Sequence, residues 1–322
     1  MTADASHNKP GERVAKVIAR AGLASRREAE AWIAAGRVSV NGAVISSPAL
    51  DVTARDRIAV DGQPLPQRAR TRLFRYHKPR GLVTTHADPQ GRPTLFARLP
   101  KRLPRLISVG RLDLNSEGLL LLTNDGGLAR ALELPTTGWE RRYRVRALGR
   151  IRQDALDRLR RGVTVAGIHY GAIAAVLDRE QGANIWLTVS LREGKNREVR
   201  RVLEHLGLRV NRLIRVAYGP FELGDIKEGE VEEVETDELR RILGPELIAQ
   251  AGADFDAPVE PQQERSARAG DRTRQETAQR GRRGLPTREA AAHAARARGA
   301  GKGRPRRKDR AHGPRPKHPR PR

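Results

Sequence analysis

The chain has 322 residues, with 63 Lys and Arg against 38 Asp and Glu, a formal net charge of +25. This length allows two compact domains and a tail, and the charge predicts a polyanionic partner, with nucleic acid ahead of an anionic membrane. The lack of cysteine excludes disulfides, thiolate metal sites and thiol nucleophiles. No apolar run approaches the roughly 18 residues of a membrane span, and the polar N-terminus lacks a signal-peptide core. We therefore expect a cytoplasmic protein that does not enter a membrane.

Two short helices are predicted after residues 1–11, which are polar and expected to be disordered. Apolar side chains recur at helical spacing from Val14 to Ala21. A second helix begins at Ser25 and Glu28, which form a capping box: each side chain accepts the backbone N–H of the other residue. Both helices end before glycines, which favours left-handed C-terminal caps.

A short β-ribbon follows the helices. An alternating Val-Ser-Val strand leads into Asn41-Gly42, a strong hairpin signal. A further strand over residues 57–60 meets a second such turn at Asp61-Gly62. The pattern predicts one small α-β module over residues 12–67.

The stretch AKVIARAGLASRREAEAWIAAGRVSVNG, residues 15–42, resembles the S4 RNA-binding module in the length and order of its elements. The alternative is a generic helical cap whose arginines are only solvated. The resemblance implies that the second helix and the ribbon bind RNA, with these candidate residues: Ser25, Arg26, Arg27 and Arg37.

Three further segments follow the module. Residues 68–72 are predicted to be a linker. Residues 73–245 mix strand and helix patterns without a βαβ rhythm, which indicates an α+β domain with a mixed, mainly antiparallel sheet. Residues 246–322 are predicted to be a basic disordered tail, because they are too poor in large apolar residues to offset the entropy of ordering. The tail is either an arm that binds RNA by counterion release or a solubilising extension.

A carboxylate in a glycine-bounded loop is the first candidate for chemistry. Asp113 lies between Leu112 and Leu114, and an apolar strand follows at residues 119–122. The flanking leucines would exclude water and raise the pKa of the acid unless a cation compensates. Such a group is either a structural ion pair or a reactive residue.

Two basic segments accompany this loop. In the strand at residues 141–147, Tyr143 alternates with arginines and is either a core tyrosine or a ring that stacks on a base. In the helix around residues 199–206, Arg200 lies on the flank of the apolar stripe, where it can pair with a carboxylate. Arg197 and Arg201 point further outward and can meet phosphate. No P-loop and no histidine spacing typical of a metal site occurs, so we expect neither a metal nor another cofactor.

The string GRLDLNSEGLLLLTNDG, residues 110–126, resembles the signature of the ribosomal branch of pseudouridine synthases. The resemblance extends over roughly residues 13–229. It implies that Asp113 is required for isomerisation, that Tyr143 stacks on the flipped base, that Arg200 pairs with Asp113 and that Leu213 walls the uracil pocket. Further candidate RNA-binding residues are Arg111, Asn115, Lys195, Arg197 and Arg201.

The implied reaction accounts for these residue types. The enzyme must break the N1–C1′ bond of uridine, rotate the uracil without releasing it, and join C5 to C1′. Nothing is oxidised and nothing leaves, so the reaction needs no cofactor. The carboxylate acts as a nucleophile at C1′ or as a base at the sugar, and the sequence leaves both open.

Within that family, the S4-like module, the string Arg-Glu-Val-Arg at residues 197–200 and the basic tail most resemble enzymes of the large ribosomal subunit. This implies a monomer that modifies one uridine in the helix 89 region of 23S rRNA, free or in a pre-50S particle. Two alternatives stay open. One is a sister enzyme acting on 16S rRNA or another uridine, and the other is a non-catalytic rRNA-binding assembly factor.

The charge distribution yields a first prediction. Residues 251–322 hold 20 Lys and Arg against 8 Asp and Glu, so their removal should weaken RNA binding and flatten its salt dependence. Turnover of a short RNA substrate should be unaffected. Filter binding over a salt series checks this, and an unchanged salt slope would rule out the RNA-binding arm.

Overall fold

The computed structural model describes residues 11–259, so the expected disorder of residues 1–10 and of residues 260–322 lies outside the described residues. The helices are α1 Val14–Arg20, α2 Arg26–Ala34, α3 Leu95–Arg98, α4 Gly126–Glu133, α5 Gln153–Asp157, α6 Glu198–His205 and α7 Thr236–Ala251. The first strands are β1 Glu12–Arg13, β2 Val38–Val40, β3 Ala43–Val44, β4 Asp51–Val52, β5 Ile58–Val60, β6 Gln63–Pro64, β7 Leu73–Lys78, β8 Ile107–Ser108 and β9 Glu117–Thr123. The later strands are β10 Arg141–Leu148, β11 Val163–Val165, β12 Ile168–Tyr170, β13 Ile173–Gln181, β14 Asn184–Leu191, β15 Arg209–Tyr218, β16 Phe221–Glu222 and β17 Val231–Glu233.

The N-terminal module has the predicted helices and ribbon. The capping box is present: the Ser25 hydroxyl accepts the Glu28 N–H at 3.1 Å, and the Glu28 carboxylate accepts the Ser25 N–H at 2.6 Å. Asn41 and Gly42 have φ of 53° and 85°, as the β2–β3 turn requires. The module has its own small core, in which Ile18 and other apolar residues of α1, α2 and the ribbon are buried.

The second domain is built on one sheet with the strand order β13-β14-β10-β15-β9-β7-β17. All neighbouring pairs on this path are antiparallel except β15 and β9, which are parallel. The predicted α+β class with a mixed, mainly antiparallel sheet is confirmed. Alternating residues of the central strand β9 enter two cores, one shared with β10 and α6 and the other with α4 and α7. All seven residues of β9 are therefore buried. No helix in residues 11–259 is long and apolar enough to cross a membrane.

The packed second domain extends beyond both boundaries predicted from composition, at residues 73 and 245. Thr71, in the expected linker, is buried and donates a hydrogen bond to Asp125 at 2.7 Å. Helix α7 is kinked at Gly244, where the backbone is not helical, but helical structure resumes and continues to Ala251, and Phe255 is buried against the same core. A few apolar residues are enough to keep this segment folded, because they pack against α4. The prediction of disorder missed them because it used the average composition of residues 246–322. The tail deletion described above should accordingly begin after Val259.

Gly118, at the start of β9, permits the parallel contact with β15. Its φ is +101°, and a Cβ atom added there would lie 2.3 Å from the carbonyl oxygen of Arg215. Any side chain would therefore both strain the backbone and push the two central strands apart. This contact fixes the start of β9, which is where the loop that carries Asp113 joins the strand.

Replacing Gly118 with alanine should lower the free energy of unfolding by at least about 3 kcal/mol, because overpacking adds to backbone strain. The matched control is Gly229→Ala, where φ is +86° and an added Cβ would contact nothing within 4 Å. The control should lose only about 1–2 kcal/mol. Urea denaturation measures both, and equal losses would show that the close strand contact contributes nothing.

Candidate active site

Two buried cations hold the loop that carries Asp113 (the Asp113 loop, residues 109–116). Lys78, at the end of β7, donates hydrogen bonds to the carbonyl oxygens of Asp113 at 3.2 Å and Ser116 at 2.9 Å. Arg200, in α6, donates to the carbonyl of Asn115 at 2.9 Å. Both cations thus bind the backbone of the loop and not its carboxylate.

The neighbouring segment supplies the remaining donors. The Thr84 hydroxyl donates to the carbonyl of Leu112 at 2.9 Å, and the Gly81 N–H donates to the carbonyl of Leu114 at 2.8 Å. Together with the two cations, these donors bind all five consecutive carbonyls from residue 112 to residue 116. A segment whose five consecutive carbonyls are all hydrogen-bonded by groups outside the loop has little freedom to move.

Lys78 is a site residue that the sequence reasoning missed. Its side chain is fully buried, and burial lowers the pKa of its amine to about 8, although the charges of Asp113 and Glu117 oppose the shift. A signal was present in the sequence. Phe74, Tyr76 and Lys78 alternate along β7, so they share the face that enters the core.

The Asp113 carboxylate is reachable from solvent. Its side chain is 36 % exposed, and Oδ2 lies 3.9 Å from Nη1 of Arg197. Leu112 is buried, but Leu114 is itself 36 % exposed, so the expectation that both leucines exclude water from the acid is wrong for Leu114. Asp113 is thus held by its backbone while its carboxylate stays open to a ligand.

The structure differs from the predicted pairing of Arg200 with Asp113. Arg200 is 6 % exposed and points inward from α6, where it donates to the carbonyls of Asn115 and Val210. Burial lowers the pKa of its guanidinium and the nearby Arg197 adds to that effect, whereas the charge of Asp113 opposes it without direct contact. The cation in ion-pair contact with Asp113 is Arg197, whose backbone has a φ of +53° just before α6. Helical geometry placed Arg200 on a flank, but it could not show which group faces that flank.

Tyr143 and Leu213 lie with Asp113 on the wall of one cavity of about 220 Å³. Tyr143 belongs to β10 and Leu213 to β15, and both side chains are largely buried on the same side of the sheet. The apolar part of the wall is completed by Leu112, Leu191 and Val199. The cavity is thus lined by a flat ring, aliphatic surface and a carboxylate.

The polar rim of the cavity comes from the loop before α6. Glu198 is buried, which raises the pKa of its carboxyl, and it accepts the backbone N–H of Lys195 at 2.6 Å. The Lys195 amine donates to the carbonyl of His169 at 2.7 Å. Arg111 and Asn196 also line the cavity. No group of three or more His, Asp or Glu residues within residues 11–259 could hold a metal ion.

The candidate RNA-binding residues fall into two groups. Arg26, Arg27, Arg111, Asn115, Lys195 and Arg197 are exposed, and of these Arg111, Lys195 and Arg197 line the cavity. The others have structural contacts or lie away from the cavity: Ser25 caps α2, Arg37 forms an ion pair with Asp61 and lies 4.9 Å from the Trp32 ring, and Arg201 is half-buried outside the cavity wall.

Comparison with known families agrees with this architecture. Residues 72–205 match the RNA pseudouridylate synthase family, and residues 12–58 match the S4 domain. The chain therefore belongs to the RNA pseudouridine synthases, which isomerise uridine in RNA, and it carries an S4 domain at its N-terminus.

Individual relatives support the same assignment. An uncharacterized RNA pseudouridine synthase of Rickettsia typhi is 45 % identical over 235 residues, which cover 73 % of this chain and 96 % of the relative. The ribosomal large subunit pseudouridine synthase B of Pseudomonas aeruginosa is 39 % identical over 309 residues, covering 92 % and 79 %. A crystal structure of a pseudouridylate synthase aligns with a TM-score of 0.50 at 26 % identity, covering 71 % of this chain and 99 % of that chain.

Lys78→Met should reduce kcat by roughly 100-fold, because the Asp113 loop loses two of its hydrogen bonds and shifts the carboxylate. The free energy of unfolding should change by less than about 2 kcal/mol, since removing a buried charge offsets the lost bonds. Tritium release from labelled RNA and urea denaturation measure the two quantities. A variant with wild-type kcat would contradict this role.

The pH profile supplies a separate check of Lys78. With a pKa of about 8, the amine loses a proton and its charge as the pH rises through 8, so kcat of the wild type should fall there. Lys78→Met should lack that decline. Because the pKa lies below its ordinary value of 10.5, the folded protein loses this proton before the unfolded chain does. The contribution of Lys78 to the free energy of unfolding should therefore rise between these two pH values.

Proposed function

We propose that this chain converts one uridine of 23S rRNA to pseudouridine, with Asp113 as the essential carboxylate. The observation that carries the proposal is the meeting of Asp113, Tyr143 and Leu213 on one cavity wall. A reaction that frees a uracil and turns it needs a carboxylate next to surfaces that hold a flat ring. These three side chains come from separate parts of the chain, and binding RNA would not by itself require them together.

The residues suit the steps of the isomerisation. Asp113 acts at the ribose, either by attacking C1′ or by removing a sugar proton, and the N1–C1′ bond breaks. Tyr143 and Leu213 contact the freed uracil, which turns until C5 faces C1′. The C5–C1′ bond then forms as the Asp113–C1′ bond breaks or, on the second route, as Asp113 returns the sugar proton; C5 gives up its proton, and N1 takes up a proton. Atoms and electrons balance without any cofactor.

Arg197 and Arg200 have different tasks in this scheme. Arg197, exposed and 3.9 Å from the carboxylate, forms an ion pair with Asp113 and can also bind the phosphate of the flipped nucleotide. Arg200 donates a hydrogen bond to the Asn115 carbonyl and thereby fixes the position of the Asp113 loop. Arg111 and Lys195, on the rim, add positive charge where the RNA backbone must pass.

The choice of large-subunit rRNA is supported by relatives whose names state that target, including those of Pseudomonas aeruginosa and Yersinia pestis, 39 % and 45 % identical. The exposed Arg26 and Arg27 of the S4 domain provide phosphate contacts away from the cavity. We propose a uridine of the helix 89 region as the target and a monomeric, cytoplasmic enzyme. A sister activity on 16S rRNA would use the same cavity, and mapping of pseudouridines in rRNA from a deletion strain distinguishes the two targets.

Asp113→Asn should abolish pseudouridine formation: its rate should fall by at least about 1,000-fold, as expected when an essential catalytic group is lost. RNA affinity should change by less than about threefold, because the phosphate contacts that dominate binding are kept. Chemical mapping of the product and filter binding provide the two readouts. Asp154→Asn, at an exposed carboxylate on α5, is the control. An active Asn variant would overturn the mechanism, whereas loss of binding alone would favour a non-catalytic RNA-binding role.

A further inference from the structure

The outer side of the sheet carries a second basic surface. Because side chains alternate along β10, Arg142, Arg144 and Arg146 lie on the side opposite Tyr143 and the cavity. Together with Trp186 of β14, these arginines define what we name the arginine face. The face is open: the side chains of Arg142 and Arg144 are 43 % and 48 % exposed.

Contacts within the arginine face do not account for its charge. Arg146 lies opposite Arg212 in the β10–β15 register, and Arg212 forms an ion pair with Glu117. Within residues 11–259, no carboxylate lies within ion-pair distance of Arg146. The Nε atoms of Arg142 and Arg146 are also buried without a hydrogen-bond partner among the described residues.

The ion pairs of the other two arginines are weak ones. Arg142 lies 3.1 Å from Glu222, whose side chain is 67 % exposed; Arg144 is 48 % exposed and lies 3.8 Å from Asp178, which is 26 % exposed, a distance too long for a hydrogen bond. An exposed ion pair and a long one contribute little to stability, so a phosphate can replace the carboxylate at either arginine. The arginines are therefore available to an external ligand.

Trp186 holds two arginine side chains in place before any ligand binds. The Arg144 and Arg179 guanidinium carbons lie 5.3 Å and 5.7 Å from the Trp186 ring centre, within cation–π distance. Holding long side chains in place reduces the entropy lost when a ligand binds. The ring is itself half-buried, so a base can approach only its remaining open surface.

We propose that the arginine face binds the phosphate backbone of a second RNA segment, outside the stem-loop that enters the cavity. Alternate residues on a strand lie roughly 7 Å apart, close to the spacing of successive phosphates along an RNA strand, and guanidinium groups bind phosphate in bidentate geometry. The face is on the other side of the sheet from Tyr143, so a large RNA must fold around the domain edge to reach both. The chain's own basic tail has the wrong sign to occupy it.

This inference rests on the proposed rRNA substrate and extends it: the enzyme should prefer a large or folded rRNA fragment to the isolated target stem-loop. The test uses the full chain with Arg144→Gln and Arg146→Gln combined. The matched control combines Arg130→Gln and Arg241→Gln, which remove two exposed charges from α4 and α7. Circular dichroism and thermal unfolding establish that both double variants fold.

For the arginine-face variant, we expect affinity for a long 23S rRNA fragment to fall about tenfold. The slope of log affinity against log salt should become less steep by roughly 1.5, as the loss of two phosphate contacts requires. kcat/KM on the isolated stem-loop should equal that of wild type, and the control should match wild type in every assay.

Three results would overturn the inference. One is a salt slope and affinity no different from those of the control. Another is weakened binding to a ribonucleoprotein particle with unchanged binding to the naked fragment, which would indicate an acidic protein partner. The third is an equal loss of kcat/KM on the stem-loop, which would mean that the face acts through the cavity. Failure of the wild type to modify any rRNA would instead refute the proposed function.

Discussion

The organisation of the site depends on two buried cations that bind backbone carbonyls. Lys78 and Arg200 approach the Asp113 loop from β7 and α6, and both donate their hydrogen bonds to main-chain carbonyls and not to the carboxylate. Burying a cation is costly, and several carbonyl hydrogen bonds at each group offset much of that cost. The benefit is geometric: the loop is fixed by its main chain, so the side chain of Asp113 remains free to react. An exposed arginine, Arg197, lies at ion-pair distance from that carboxylate.

The same arrangement links the site to the middle of the sheet. Lys78 ends the strand next to β9, and β9 starts directly after the Asp113 loop. Gly118 lets β9 approach β15 closely enough for parallel pairing, and β15 carries Leu213 to the cavity. The neighbouring β10 adds Tyr143. Strand β9, in the middle of these strands, is packed against a core on each side. The close packing there fixes the relative positions of the carboxylate, the ring and the aliphatic wall.

Local features were predictable from the sequence, and long-range ones were not. The capping box at Ser25, the Asn41-Gly42 turn and the alternation of β10 are confirmed, because each depends on residues a few positions apart. The partner of Arg200 depends on a loop 85 residues away in the chain, and no spacing rule reports it. The parallel pairing of β15 with β9 is hidden for the same reason. Lys78 was predictable only in part: its alternation with Phe74 and Tyr76 can be read from the sequence, but the carbonyls that it binds cannot.

The two cations make the Asp113 loop rigid, and hydrogen–deuterium exchange measures that rigidity directly. The Ser116 N–H is bonded to the Asp113 carbonyl, and the Gly110 N–H to Glu133, so both amides should exchange slowly in the wild type. In Lys78→Met, peptides covering residues 109–117 should exchange at least about tenfold faster while β7 and β9 stay protected, which corresponds to a local opening. Unchanged exchange in that loop would contradict the account, because Lys78 would then act through its charge alone.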